Sequence, residues 1–420
     1  MQGQAAWGPV PVAPAVPVPP PARATVVVIG GGYTGLACAR AVARAGGDVV
    51  LLEREGIGHG ASSRNAGFVL PGFQAGIGTL LRLAGPEGAR ELFQDSLDAV
   101  ALVERLTAEE GVACDWQRPG YLYLAAKPRH LAHLEADQEA LRRHLGYETV
   151  LLDRSALCGE LGSDQYHGAL LEPLAGTLDP RRYLDGLAAA ARRAGASLHE
   201  GAEVRAIRRA GAGYRVETPA GTVQADQVVL ATNGYTGQLH SWVTRRVVSV
   251  GSFMVATAPL PAALRQQLFP TGRCCADTRR LLRYFRLTGD GRLVFGGRAA
   301  FVPGAVERSV DLLRRELRAV FPGLAEVPVE HGWGGRLAVP VHGLPHLGRT
   351  PDGVHYALGY AGHGVANATW LGNRLGRVLA GQADWPRLAR LPFPAIPFYA
   401  GTPWFLPFVG AYYRMYDWLR

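Results

Sequence analysis

Two glycine-rich stretches carry residues whose types and spacing could do chemistry, because closely spaced glycines let backbone N–H groups surround a phosphate. The first has the pattern G-x-G-x-x-G at Gly30, Gly32 and Gly35, directly after the apolar run 25–29. Gly30 is expected to allow a sharp turn, Gly32 the approach of a pyrophosphate, and Gly35 tight helix packing. A helix over 33–45 would direct its positive end at the phosphates. The pattern predicts a dinucleotide site.

An acidic residue follows where a ribose would need it. Glu53 comes directly after a second strand-like run, 48–52, and lies 21 residues after Gly32. A carboxylate here binds a ribose diol and disfavours a 2′-phosphate, so FAD or NAD is favoured over NADP. A glycine turn that binds nothing is the alternative, and the complete order of strand, helix, strand and acid disfavours it.

The second glycine-rich stretch, 58–67, distinguishes between these cofactors. Its sequence GHGASSRNAG resembles the G-x-G-A-S-x-R-N-x-G signature of the D-amino acid oxidase and glycine oxidase superfamily of flavoenzymes. Its N–H groups, hydroxyls and guanidinium suit a diphosphate, although a plain surface loop is the alternative. The resemblance implies noncovalent FAD, because the cysteine and histidine that attach flavin in some relatives are missing. The cofactor-binding residues predicted from both stretches are Gly30, Gly32, Tyr33, Thr34, Gly35, Glu53, Arg54, Gly60, Ala61, Ser62, Ser63, Arg64, Asn65, Ala66 and Gly67.

Later segments extend the resemblance. The run 226–230 ends in Ala-Thr-Asn, like the superfamily strand under the ADP half, and the stretch 359–366 resembles the G-[YF]-x-G-H-G segment of sarcosine and γ-glutamylputrescine oxidases. A helix beginning at Val365 would direct its positive end at the flavin N1–C2=O edge. The cofactor-binding residues implied by these segments are Val204, Ala231, Thr232, Asn233, Gly335, Gly362, His363, Gly364 and Val365.

A predicted strand over 281–287 offers candidates for the substrate pocket. Alternation places Tyr284 and Arg286 on one face, and in the superfamily one face of this sheet forms the wall over the flavin. An exposed arginine and a core tyrosine on an ordinary strand are the alternative. Arg336 is the second choice for a cationic anchor, and His363 could donate a hydrogen bond to the cofactor. The predicted catalytic residues are Tyr284, Arg286, Arg336 and His363.

The resemblance covers about 25–379 and is strongest to the γ-glutamylputrescine oxidase-like branch. It implies a FAD-dependent amine or amino-acid oxidoreductase that oxidises a C–N bond to an imine by hydride transfer to flavin N5, followed by hydrolysis. Sarcosine oxidases carry a lysine at the position of Ala366 and another over the flavin, whereas Lys127 is the only lysine of this sequence. Two alternatives therefore stay open: a membrane-associated amino-acid dehydrogenase that reduces a quinone, and an NAD-linked dehydrogenase.

Composition narrows the class of protein. Of 420 residues 19% are charged and 48% hydrophobic, which is typical of an enzyme with sizeable cores. The net charge of +9 is carried by dispersed arginines rather than a lysine-rich tail, so no nucleic-acid partner is expected. Five cysteines without ligand spacing predict no metal.

No apolar run reaches about 18 residues and the start lacks a signal-peptide core, so the expected location is cytoplasmic, with membrane association as an alternative. The expected substrate is a small amine or amino acid, and the expected electron acceptor is oxygen or a quinone. Formation of a homo-oligomer is left open.

The predicted fold class is α/β plus α+β, with a Rossmann-type, glutathione-reductase-like FAD-binding domain interleaved with an antiparallel-sheet substrate domain. The FAD-binding domain is expected over 24–100, 150–245 and 330–385, and the substrate domain over 101–149 and 246–329. A disordered Pro-rich extension is expected over 1–23.

The remaining segment, 386–420, is an aromatic-rich tail: residues 391–420 hold 10 of the 36 aromatic residues. Over 404–420 it predicts an amphipathic helix that could lie in a membrane interface, with Arg414 and Arg420 available to anionic headgroups. Packing on its own or a partner's substrate domain is the alternative. The apolar face predicted for this helix consists of Phe408, Tyr412, Met415 and Tyr416.

Overall fold

The computed structural model describes residues 5–297 and 306–419; the predicted cation Arg420 and residues 298–305 of the predicted substrate domain lie outside this part. The strands, in chain order, are β1 (Arg23–Ile29), β2 (Val49–Leu52), β3 (Phe68–Val69), β4 (Tyr121–Leu124), β5 (Val150–Asp153), β6 (Gly168–Glu172), β7 (Gly176–Thr177), β8 (Ser197–His199), β9 (Ala206–Ala210), β10 (Gly213–Thr218), β11 (Gly221–Leu230), β12 (Val247–Pro259), β13 (Cys274–Asp277), β14 (Arg283–Leu287), β15 (Arg292–Gly297), β16 (Val329–Pro340), β17 (His346–Arg349) and β18 (His355–Leu358). The helices are α1 (Tyr33–Arg44), α2 (Ile77–Glu109), α3 (Pro128–Ala140), α4 (Arg154–Leu157), α5 (Pro180–Arg193), α6 (Ser241–Thr244), α7 (Ala262–Leu268), α8 (Val306–Val320), α9 (Gly364–Leu379) and α10 (Leu406–Leu419).

The first sheet contains the predicted nucleotide-binding unit. Its strand order is β17-β18-β11-β1-β2-β8, with β10 and β9 extending it from β11. β1 pairs in parallel with both β11 and β2, and β2 is buried along its whole length. Such strands need cover on both faces, which crossover helices supply. The predicted Rossmann-type domain is confirmed.

Helices α1 and α9 pack on each other with closely approaching backbones. A Cβ on Gly372 would lie 2.2 Å from the Thr34 carbonyl oxygen, and one on Gly376 would lie 2.6 Å from the Cys38 carbonyl oxygen. A side chain at either glycine would therefore push the helices apart. The contact places the middle of α9 against the first turns of α1.

The second sheet, in the order β16-β12-β15-β14-β13-β4-β6-β5, is mainly antiparallel and confirms the predicted substrate domain. Its core includes the stacked rings of Phe285 and Phe295, whose centroids lie 5.6 Å apart. The predicted domain boundaries at 150 and 330 are wrong, because β5 and β6 pair next to β4 and β16 pairs with β12. These partners are distant in sequence, so local patterns do not reveal the boundary.

The N-terminal extension packs on both domains from Ala5 onward, so the predicted disorder over 1–23 is wrong for the residues described. Ala5 is buried, the Trp7 indole Nε1 donates to the Asn65 carbonyl oxygen over 3.0 Å, and the Pro11 carbonyl oxygen lies 2.7 Å from His59 Nδ1. Extended proline-rich chain needs no internal hydrogen bonds and can therefore bond to a neighbouring surface.

The C-terminal tail forms α10 and packs on the second sheet. Leu406 is buried against Val248 and Val250 of β12. Three residues of the predicted apolar face, Phe408, Tyr412 and Met415, are exposed, whereas the fourth, Tyr416, is half-buried. Within 5–297 and 306–419, every helix is too short or too polar to cross a bilayer.

Candidate active site

A cavity of about 1030 Å³ connects the two domains. Glu53 and Val204 line it on the nucleotide-binding side, and Tyr284 of the second sheet and His363 line it farther along. Its size suits a cofactor together with a small ligand. Across the described ranges, no group of three or more His, Cys, Asp or Glu side chains could hold a metal ion.

The glycine turn directs the start of α1 at this cavity. Gly30 has φ +109°, a conformation that favours glycine, and a Cβ on Gly35 would lie 1.9 Å from the Gly30 carbonyl oxygen. Gly32 lines the cavity, and the Tyr33 N–H donates to Ser62 Oγ over 3.1 Å. The turn and a hydroxyl therefore present donors to one place, as a pyrophosphate requires.

Glu53 is held in place by the turn that it follows. Its Oε2 accepts the Gly31 N–H over 2.7 Å, and its Oε1 accepts the Glu55 N–H over 3.0 Å. An ionised carboxylate has about four acceptor positions, so two remain for a ribose diol. Arg54 and Val204 line the same region of the cavity, where an adenosine would lie.

Most of the stretch 58–67 borders the cavity, but some predicted residues lie behind its wall. Ser63 Oγ donates to the Gly58 carbonyl oxygen over 2.7 Å, and a Cβ on Gly67 would lie 2.0 Å from the Leu178 carbonyl oxygen. The direct cofactor contact predicted for Gly35, Ser63 and Gly67 is therefore corrected to a supporting role. The residues of this stretch that line the cavity are His59, Gly60, Ala61, Ser62, Arg64, Asn65 and Ala66.

Two asparagines connect the cavity's loops. Asn65 Nδ2 donates to the Ser62 carbonyl oxygen over 3.0 Å, and its Oδ1 accepts the Gly67 N–H over 2.8 Å. Asn233 Oδ1 accepts the Gly359 N–H over 3.0 Å, which connects the end of β11 to the segment before α9. Four further predicted residues line the cavity, two at the start of α1 and two after β11: Tyr33, Thr34, Ala231 and Thr232.

The 359–366 segment borders the cavity next to the glycine turn, because the Tyr360 hydroxyl lies 2.7 Å from Thr34 Oγ1. Helix α9 begins at Gly364, one residue before the predicted start, and His363 occupies its N-cap position. The helix end carries partial positive charge and would favour negative charge on a bound group. The residues of this side that line the cavity as predicted are Gly335, Gly362, His363, Gly364 and Val365.

Tyr284 lines the cavity on the substrate-domain side, as predicted. Its hydroxyl lies 3.0 Å from that of Ser252, and its ring meets Phe68 edge-on. Sequence reasoning missed Tyr121 and Tyr123, although their two-residue spacing on β4 places both on one face. Burial raises the pKa of the Tyr121 phenol, so it is neutral at physiological pH.

The predicted substrate anchors Arg286 and Arg336 do not line the cavity, so the prediction is wrong for both. The Arg286 side chain donates to the carbonyl oxygens of Ala66 and Leu178, each over 2.6 Å. Burial lowers its pKa to about 10, which leaves it charged at neutral pH, and it connects the two domains. Arg336 is exposed.

The chain's residues fit a flavin dinucleotide. A valine-sized side chain at Gly32 would enter the space that the phosphates need, because even a Cβ there would lie 2.8 Å from Ser62 Oγ. The carboxylate, the phosphate donors and the α9 helix end all border one cavity. In a bound FAD, Glu53 would hold the ribose, the glycine turn would hold the pyrophosphate, and the start of α9 would face the flavin.

Comparison with known proteins agrees with this arrangement. Residues 25–377 match the family model described as DAO, FAD dependent oxidoreductase. The sequence is 34% identical to a probable oxidoreductase OrdL of Rhizobium meliloti, over 92% of this chain and 91% of that protein. It is also 34% identical to the γ-glutamylputrescine oxidoreductase of Escherichia coli, over 93% and 92%. The fold resembles glycine oxidase from Geobacillus kaustophilus, with a TM-score of 0.72, 23% identity, and coverage of 90% of this chain and 99% of that one.

Proposed function

The chain belongs to the DAO family of FAD-dependent oxidoreductases, and on this basis we propose that it oxidises a C–N bond of an amine or amino acid to an imine. The observation that supports this is that one cavity is lined both by the predicted dinucleotide site, at Gly32 and Glu53, and by the tyrosines of the second sheet, Tyr121 and Tyr284. The similarity to a γ-glutamylputrescine oxidoreductase favours a long amine of that kind as the first substrate to test.

The cofactor and the residues of the chain have different roles in this reaction. Bound FAD supplies the acceptor for the hydride that leaves the substrate carbon. The amine also loses a proton, and water adds to the resulting imine to give a carbonyl compound and ammonia or a smaller amine. The tyrosine wall, including Tyr284 and Tyr121, orients the substrate, and the start of α9 stabilises negative charge at the other side. No general base is required of the chain in this scheme.

Product analysis tests the proposal. The purified holoenzyme is incubated in air with γ-glutamylputrescine, putrescine and glycine, and carbonyl product, released amine and hydrogen peroxide are measured. We expect equal amounts of carbonyl product and amine from at least one of the three. Flavin-loaded protein that forms no carbonyl product, in air or with an added quinone, would contradict the proposal.

A second candidate is a membrane-associated dehydrogenase that reduces a quinone. The observation that favours it is the exposed apolar face of α10, where Phe408 is 71% and Trp418 is 81% exposed. The one acidic residue of this helix, Asp417, is turned toward the protein body, and Arg414 is exposed at the edge of the apolar face. Aromatic side chains with a flanking cation suit an anionic lipid interface. Faster turnover with a quinone than with oxygen would favour this candidate.

A further inference from the structure

The turn between β13 and β14, residues 278–282, is fixed from the interior of the substrate domain. Asp277 is fully buried, and its Oδ1 accepts the N–H groups of Arg279 and Arg283 over 3.2 and 3.0 Å. Its other oxygen pairs with the Arg279 guanidinium. This network sets the two ends of the turn but does not bond to its middle residues.

The middle of the turn is held by the C-terminal helix. Asp417 Oδ1 accepts the Arg280 N–H over 2.8 Å, and its Oδ2 accepts the Leu281 N–H over 2.9 Å. Two N–H groups on one carboxylate are charge-assisted hydrogen bonds that fix the backbone in one position. Lys127 anchors the end of the helix, because its Nζ donates to the carbonyl oxygens of Asp417 and Trp418 over 2.5 and 3.3 Å.

Arg280 reaches the cavity from this turn. It lines the cavity together with Leu282 and Tyr284, and its guanidinium lies 5.2 Å from the centre of the Tyr416 ring. Among the residues that the structure describes, no carboxylate oxygen lies within 4.0 Å of this guanidinium. Its charge is therefore not neutralised by an ion pair with the described chain, and stacking on Tyr416 leaves its donors available.

The other arginines of the cavity belong to its nucleotide side. Arg54 follows Glu53, and Arg205 follows Val204. Arg64 donates to the carbonyl oxygens of His59 and Gly334, so its guanidinium is already engaged. Within the described part of the cavity wall, Arg280 is thus the arginine available to the substrate.

We propose that Arg280 binds an anionic group of the substrate remote from the oxidised C–N bond, and that Asp417 of α10 is the positioning residue that holds Arg280 at the cavity. This inference rests on the proposed function and assigns its substrate class: amines that carry a carboxylate away from the reacting carbon. It also gives α10 a role in substrate selection.

Binding of an unreactive ligand pair tests the proposal without requiring turnover. N-(γ-glutamyl)butylamine lacks the terminal amino group, and its carboxamide analogue also lacks the carboxylate charge. We expect calorimetry on the holoenzyme to give a Kd for the carboxylate ligand that is roughly tenfold or more higher in Arg280→Gln, because a charge-assisted pair is lost. The Kd for the carboxamide should not change, and neither Kd should change in the control variant Arg414→Gln.

The positioning role makes a graded prediction. Asp417→Ala removes both acceptors and should raise the carboxylate Kd, whereas Asp417→Asn keeps one acceptor oxygen and should have an intermediate effect. A melting temperature measured alongside shows whether each variant is folded. If Arg280→Gln raises the Kd of both ligands equally, Arg280 does not bind the carboxylate. If the ratio of the two Kd values is unchanged in folded Asp417→Ala, Asp417 does not position Arg280. Charge-selective binding without oxidation of any amine would instead refute the proposed function alone.

Discussion

The indole Nε1 of Trp7 donates a hydrogen bond to the carbonyl oxygen of Asn65 over 3.0 Å. The same indole lies against the Arg286 guanidinium, 5.2 Å from ring centre to Cζ. Asn65 borders the cofactor cavity, and Arg286 connects its loop to the substrate sheet. The N-terminal segment therefore covers the junction between the two domains.

Trp7→Ala should loosen this junction. The variant loses a hydrogen bond and apolar contact around a half-buried ring, so we expect the free energy of unfolding to fall by about 1–3 kcal/mol. Cofactor retention through gel filtration should fall as well, because the 58–67 loop loses a support. Val16→Ala in the same segment is the control, since Val16 is 84% exposed. If both variants retain FAD and stability equally, the segment has no supporting role.

Gly32→Val should abolish stoichiometric cofactor binding. The branched side chain would enter the space beside Ser62 that the phosphates need. The measurement is the ratio of flavin to protein absorbance after purification. Gly78→Ala is a matched control, because a Cβ at Gly78 meets no atom within 4 Å. Full flavin content in Gly32→Val would show that the phosphates lie elsewhere.

Asp95→Asn should change how stability depends on pH. Burial, together with Glu91 and Asp98, raises the pKa of Asp95 from 3.8 to about 7. The folded state therefore binds more protons than the unfolded state between these values, and stability falls as the pH rises from about 4 through 7. The neutral amide avoids this loss, so the variant should gain stability over the wild type at pH 8 but not at pH 4. Urea unfolding at pH 4 and pH 8 measures the free energy of unfolding of both proteins, with the exposed substitution Asp48→Asn as the control. An equal change in the free energy of unfolding of Asp95→Asn at both pH values would contradict this prediction.

The exposed face of α10 should bind anionic lipid if the second candidate function is correct. The double substitution Phe408→Ser with Trp418→Ser removes two large exposed side chains without touching Asp417. We expect it to reduce sedimentation with phosphatidylserine vesicles, whereas Val150→Ser, an exposed apolar residue on β5, should not. If the wild type does not sediment with the vesicles and is a dimer, whereas the double variant is a monomer, this face binds a second copy of the chain instead.

The features that sequence predicted well are those fixed by local chemistry. The turn at Gly30 and the acid at Glu53 depend on neighbours within a few positions or on a fixed spacing. For such features the residue types alone determine the geometry.

The features that sequence mispredicted depend on contacts between distant segments. Alternation correctly placed Tyr284 at the cavity, but it could not show that the long Arg286 side chain would reach the Leu178 carbonyl. Arg280 was missed because its position depends on Asp417, 137 positions away. Similarly, Trp7 carried no local signal in a proline-rich run.

An anaerobic titration of the purified protein with γ-glutamylputrescine shows whether an amine reduces the bound flavin. The yellow absorbance of FAD is followed as the amine is added, with no acceptor present. We expect the protein to carry one FAD per chain, the flavin absorbance to bleach when the amine is added, and one carbonyl product to form per flavin. A fully flavin-loaded protein whose absorbance stays unchanged with this amine, putrescine and glycine would contradict it.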